Sequence, residues 1–217
     1  MPHLFRPAAD TVARSILLAM VVLPFIAIGL AYWVSASEYT TDDSITLDQP
    51  VPFSHAHHVG GLGLDCRYCH TGVETSPVAG IPPTHTCMTC HSELYTQTAM
   101  LAPVRQSLAE GRPIHWNKVN RLPGYVYFDH SIHVAKGIGC TTCHGPVAEM
   151  PLMRQAAPLT MGWCLDCHRN PAPNMRPASG VFDPEWKFPD DQAERGIILA
   201  HQYLDNKHLT DCSVCHR

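Results

Sequence analysis

The sequence predicts a mostly irregular and α-helical domain with little β-structure, carried on one N-terminal transmembrane helix. Three observations predict it. All ten cysteines fall in five identical Cys-x-x-Cys-His runs, an uncharged apolar stretch of about 22 residues stands near the N-terminus, and 19 Pro and 14 Gly are spread along the chain.

The five runs are Cys66-Arg67-Tyr68-Cys69-His70, Cys87-Met88-Thr89-Cys90-His91, Cys140-Thr141-Thr142-Cys143-His144, Cys164-Leu165-Asp166-Cys167-His168 and Cys212-Ser213-Val214-Cys215-His216. Two thiols at this spacing add across the two vinyl groups of one porphyrin, and the next residue offers an imidazole to the iron. A zinc ribbon gives no reason for a His after every knuckle. Disulfides do not favour this spacing either. Five covalently bound c-type haems are therefore expected, with His70, His91, His144, His168 and His216 as proximal ligands.

Roughly 180 residues beyond the apolar stretch must then enclose five macrocycles, which leaves no room for a separate side-chain core. The haems themselves should form the core, wrapped by loops and short helices. Pro and Gly suit such a wrapping because they favour turns and extended chain. The net charge of -4 is mild and points to no nucleic acid.

Residues 15–36 carry no charge and are long enough to cross a bilayer as a helix; Pro24 is a tolerated kink, and Tyr32 and Trp33 fall where an aromatic belt would lie. Arg6 and Arg14 precede the span, while Glu38, Asp42 and Asp43 follow it. The positive-inside rule puts residues 1–14 in the cytoplasm and the haem domain on the periplasmic side of the inner membrane. A cleaved signal peptide is the rival reading, but the apolar stretch is longer than a usual signal core.

Residues 37–50 read as a solvated polar linker. An internal repeat follows. Phe53-Ser54-His55-Ala56-His57-His58-Val59 precedes Cys66, and Phe128-Asp129-His130-Ser131-Ile132-His133-Val134 precedes Cys140. Each copy carries a second haem motif roughly twenty residues later. Residues 51–91 and 126–168 are thus two dihaem units joined by a partly helical connector, 92–125. Residues 169–217 hold a Pro-rich extended segment, an amphipathic helix from Asp191 to Leu204, and the fifth haem motif outside the repeat.

Two imidazoles three residues apart on a helical turn share a face but differ in height, so they can reach the irons of two neighbouring haems. His55, His58, His130 and His133 are the expected distal ligands; His57 points elsewhere. His208 and Met161 are the candidates for the fifth distal position, with His201 another possibility. A thioether there would raise the haem potential, whereas plain packing is the other use of Met161. Phe53, Phe128, Tyr125, Tyr127, Trp116 and Trp163 are expected at haem edges.

The Phe-x-His-x-x-His-Val segment before Cys-x-x-Cys-His resembles the class III multihaem cytochromes c. That likeness implies that the first His ligates the haem that follows and the second a neighbour. The wider pattern is one N-terminal span, Leu122-Pro123-Gly124-Tyr125-Val126-Tyr127-Phe128, Met161-Gly162-Trp163-Cys164 and Cys212-Ser213-Val214-Cys215-His216-Arg217. It resembles the pentahaem subunit of bacterial alternative complex III. The resemblance implies a respiratory or photosynthetic quinol:electron-acceptor oxidoreductase. An iron–sulfur subunit and a polytopic quinol-binding membrane subunit would be the donors. A monohaem cytochrome c or soluble carrier would be the acceptor.

Nine extracytoplasmic His beyond the proximal set can leave all five irons six-coordinate. This favours an electron-transfer subunit that is not catalytic alone. A membrane-anchored multihaem quinol dehydrogenase with its own quinol site is the alternative, and a free periplasmic shuttle the third reading.

Overall fold

The computed structural model describes residues 7–204 and 208–216. The readings that involve Arg6 and Arg217 lie outside the described residues. Two compact units divide at Asp42/Asp43.

The first unit is one long helix and a short turn of helix. Helix α1 runs Pro7–Ser35. It begins earlier than the apolar stretch because Ala8, Ala9 and Ala13 favour helix and Arg14 pairs with Asp10 at 2.9 Å, one turn apart. Its Ala8–Ser35 portion has a mean hydropathy of 2.4 and no buried side chains. Twenty-eight residues at about 1.5 Å each exceed the hydrocarbon core, so the helix is long and apolar enough to cross a bilayer. Pro24 sits inside it without ending it. Helix α2, Glu38–Thr41, stops at Asp42, whose φ of 56° leaves the helical region.

The second unit contains no sheet among the described residues, only isolated bridges between Thr46 and Arg154 and between Ile138 and Met175. Its helices are α3 (Cys66–Cys69), α4 (Thr84–His91), α5 (Ala102–Glu110), α6 (His130–Ala135), α7 (Cys140–His144), α8 (Met161–Arg169), α9 (Gln192–Tyr203) and α10 (Cys212–Cys215). Five of these contain the Cys-x-x-Cys runs, because a helical turn puts residues i and i+3 on one face, as a shared porphyrin edge requires. Three helix starts are fixed by side chains. Asp65 accepts from the Arg67 amide, Asp129 from Ile132 and Thr160 from Trp163.

The second half of the expected leash is tied down. The Ser44 amide donates to the Gln155 carbonyl at 2.8 Å, and Asn117 Nδ2 donates to the Asp48 carbonyl at 2.6 Å. The Pro-rich stretch is extended with two 3₁₀ turns, Ala172–Asn174 and Ala178–Gly180. It packs beside the third Cys-x-x-Cys-His run: the Arg176 amide donates to the Gly137 carbonyl, and the Cys140 amide to that of Val181. Helix α9 lies on the first of these turns, where only a glycine at position 196 leaves room for the Ala172 carbonyl.

Hydrophobic burial is slight. Among the described residues Val51, Val73, Val104, Met150, Ala157, Met175 and Val181 are the buried apolar side chains. Seven such residues form only a small side-chain core for about 175 residues of largely irregular chain.

Candidate metal centres

In the first repeat the chain after Phe53 enters a π-helical turn, Ala56–Gly61, with His55 as its leading residue. In the second it enters α6, an ordinary α-turn. The two copies differ because Gly60 and Gly61 allow the wider turn, and Gly60 presses against the Ala148 carbonyl, where a Cβ would collide. Despite this difference the side chains take equivalent positions. Phe53 stacks on His58 at 4.4 Å and meets His55 edge-on at 4.9 Å. Phe128 stacks on His133 at 4.4 Å and meets His130 edge-on at 4.8 Å. Each Phe wedges a His pair apart, a role closer to the imidazoles than the expected one at a haem edge.

Four imidazole pairs result. His55 faces His70 with centroids 6.5 Å apart, and His58 faces His91 at 6.2 Å. His130 faces His144 at 6.4 Å, and His133 faces His168 at 6.1 Å. An iron held about 2.0 Å from one nitrogen of each ring would put the centroids roughly 6.3 Å apart. Direct ring stacking would bring aromatic centroids to within about 4.5–5 Å, so each gap is wide enough for one metal ion and no wider. The planes are parallel in the first and third pairs, at 2° and 4°, and rotated by 64° and 38° in the second and fourth.

Hydrogen bonds aim these rings. Nδ1 of His70 donates to the Gly80 carbonyl at 2.6 Å, His58 to Ser54 at 2.9 Å and His91 to Leu94 at 3.1 Å. His130 donates to Pro77, His133 to Asp129, His168 to Leu209 and His216 to Tyr125. A carbonyl only accepts, so each Nδ1 carries the proton and each Nε2 keeps its lone pair for a metal. His144 Nδ1 lies 3.1 Å from the Asn120 amide, whose oxygen has no other partner; with that oxygen turned toward His144 the same pattern holds there. Asn120 carried no signal in the sequence. Burial pushes His55 down to about 4, and burial with the His130 and His70 charges does the same to His144. Neutral imidazole is the ligating form, so burial also favours coordination.

The thiols are unpaired and placed for attachment. Burial pushes the Cys143 thiol up to about 12. Cys140 lies beside Cys66 across the two repeats, and the interaction between the two thiols together with burial holds that of Cys140 well above the usual range. No group of three or more His, Cys, Asp or Glu converges among the described residues, which leaves the zinc-knuckle alternative without a geometry. The donor set fits haem: two thiols per turn, then one imidazole with a free Nε2, with a second imidazole opposite in four cases.

The fifth motif is different. The ring beside His216 is Tyr125, at 5.8 Å. His208 is largely exposed, with Nδ1 3.7 Å from the Asp211 carboxylate, and Met161 is 66% exposed at the start of α8. Neither is brought to His216 among the described contacts. His57 lies edge-on to His58 and outside the four pairs.

Residues 126–217 match the family model described as cytochrome c7 and related cytochrome c. The chain is 34% identical over 98 residues to the menaquinone reductase multiheme cytochrome c subunit of Nitratidesulfovibrio vulgaris. That match covers 45% of this chain and 46% of that protein, so the chain aligns with about half the length of the relative. The C-terminal region is thus cytochrome c7-like, and covalently bound haem belongs to such a region.

Proposed function

We propose that this chain is a five-haem electron-transfer subunit of a membrane quinone-linked oxidoreductase, anchored by α1 with its haem domain on the periplasmic side. The observation that carries the proposal is the set of four imidazole pairs, each spaced for one iron, with Nδ1 hydrogen bonds orienting every ring but His55, whose Nδ1 has no partner. Bound haem supplies reversible one-electron storage at its iron. The five Cys pairs would hold it by thioethers, and His70, His91, His144, His168 and His216 would each supply an imidazole to its iron. His55, His58, His130 and His133 would supply the second imidazole to four of the irons, which would leave those four without a site for a substrate.

Contacts between motifs support one spatial order. Tyr68 and Thr89 share a 2.8 Å hydrogen bond between the first and second motifs, and Cys66 meets Cys140 between the first and third. Cys143 neighbours Cys164 and Cys167, and Cys164 neighbours Cys215. His168 donates to Leu209 just ahead of the fifth motif. The sequence of neighbours is second, first, third, fourth, fifth, so the two repeats join through their first haem motifs.

The finer reading is the pentahaem subunit of an alternative complex III. Quinol oxidation beside an iron–sulfur subunit and a polytopic membrane subunit would feed this chain, and a monohaem cytochrome or soluble carrier would drain it. The name of the aligned relative favours a second reading with opposite flow, in which the chain delivers electrons for menaquinone reduction. The test is the purified complex with its co-purifying subunits. Five haems by pyridine haemochrome and intact mass, and quinol-dependent reduction of an acceptor cytochrome, are expected. Menaquinone reduction by reduced cytochrome without the reverse reaction would select the second reading. Fewer than five haems would overturn the ligand assignment.

A further inference from the structure

Arg176 is a fully charged side chain with 2% of its surface exposed, inside the Pro-rich stretch. Burial lowers its guanidinium from the usual value, yet arginine remains protonated. Its Nη2 donates to Thr141 Oγ1 at 2.6 Å and to Thr142 Oγ1 at 3.4 Å, the two residues between Cys140 and Cys143. Its Nη1 reaches the carbonyls of Gly180 and Asp183 at 3.4 and 3.5 Å. The plane lies over Phe188 at 5.1 Å and Trp186 at 5.9 Å, and Nε has no partner. Gly139, just before Cys140, has no Cβ where the guanidinium packs.

No carboxylate pairs with Arg176 among the described residues. Asp183 acts on it electrostatically from beyond ion-pair distance, and Asp183 Oδ1 accepts from the Glu185 amide instead. A neutral donor could hold the same hydroxyls and carbonyls with a far smaller desolvation cost. The retained charge therefore asks for a function beyond clamping. A haem propionate is poorly placed to neutralise it. Cys140 and Cys66 meet beside Arg176, so the attachment edges of both neighbouring haems lie here, and the propionates of a porphyrin occupy the edge opposite its vinyl groups.

We infer that Arg176 is a potential-setting residue: its buried charge, in ion-pair contact with no carboxylate, beside the Cys140–His144 turn raises the reduction potential of the haem attached there, and of its neighbour at Cys66. The inference rests on haem attachment at those motifs. A fixed positive charge opposes the ferric state, which carries one more positive charge than the ferrous state. At an effective dielectric of about 20 and a separation on the order of 10 Å, the reduction equilibrium moves roughly tenfold. The joint between the two repeats would thus accept electrons more readily than a charge-free site.

The test is spectroelectrochemical titration of the full complex with dithionite and ferricyanide, for wild type, Arg176→Met, Arg176→Lys and Asp183→Asn, with haem content measured in each. Arg176→Met is expected to lower one or two of the five midpoints by roughly tenfold in equilibrium constant, about 59 mV for one electron. Arg176→Lys should restore most of that shift, and Asp183→Asn, which removes a facing negative charge, should move the same midpoints upward by about two- to threefold. Unchanged midpoints in Arg176→Met with full haem content would overturn the inference, as would an equal drop in Arg176→Lys. If Arg176→Met does not fold, Asp183→Asn decides, and unmoved midpoints there reject the charge effect. Wild type lacking haem at Cys66 or Cys140 would reject the underlying reading, a result distinct from haem-loaded protein with insensitive potentials.

Discussion

Replacing His130 by Ala should create one ligand-binding haem more than wild type has. His130 faces His144 with centroids 6.4 Å apart, and its Nδ1 is held by the Pro77 carbonyl at 2.8 Å. The iron between them would lose its sixth ligand, while His144, held by Asn120, keeps the fifth. The nearest ring, Phe128, cannot coordinate, and His133 is committed to the gap facing His168. The signal follows from the count of motifs: one more of the five reduced haems binds carbon monoxide than in wild type, an added response of about a fifth of the chain's total Soret band. Loss of the Nδ1 hydrogen bond and of ring packing on Phe128 costs about 1–3 kcal/mol of stability, small enough for the variant to fold around its covalent haems. The assay is the carbon monoxide difference spectrum of the dithionite-reduced protein against wild type. A silent variant with full haem content would refute the pairing of His130 with His144.

His57→Ala should leave that spectrum silent, because His57 stands outside the four pairs. Ferric electron paramagnetic resonance should separate two low-spin classes, since parallel rings at 2° and 4° split the iron orbitals more than rings rotated by 64° and 38°; one homogeneous class would contradict these angles. Gly60→Ala puts a methyl into the Ala148 carbonyl and should cost about 1–3 kcal/mol, read as a lower thermal midpoint, whereas the same change at open Gly124 should be nearly neutral.

Much of the site was legible because its chemistry is local in sequence. A Cys-x-x-Cys-His run is a single helical turn, and nothing distant is needed to form it. The duplicated Phe-x-His-x-x-His-Val segment carried its partners by proximity: the first His meets the motif that follows, and the second meets the next one along. The class III resemblance implied only that the first His ligates the haem that follows and the second a neighbour; the ring distances put His58 opposite His91 and His133 opposite His168. Long-range contacts were not legible. Asn120 reaches His144 across 24 residues and Arg176 reaches Thr141 across 35, and neither sits in a motif. The linker after α2 looked solvated because its residues are polar, yet polar residues also make the backbone contacts to residues 117 and 155 that pin it.

The fifth motif is where sequence and geometry stop together, and the reason is physical. Four motifs have a second imidazole brought opposite theirs by a duplicated segment, so one local pattern places both rings of each pair. The fifth lies beyond the repeat, after a segment that the sequence could only describe as proline-rich. Its His216 is oriented like the others, with Nδ1 on the Tyr125 carbonyl at 3.1 Å, and the Tyr127 amide donates to the Cys215 carbonyl at 2.8 Å. The strand of chain leading into the second repeat therefore positions the proximal side without supplying a distal donor. A terminal haem in a relay exchanges electrons with a partner and benefits from a more exposed edge than its neighbours. Cys212 in the fifth motif and Cys90 in the second are exposed where Cys140 and Cys143 are half-buried, so both ends of the row are more accessible to a partner than its middle.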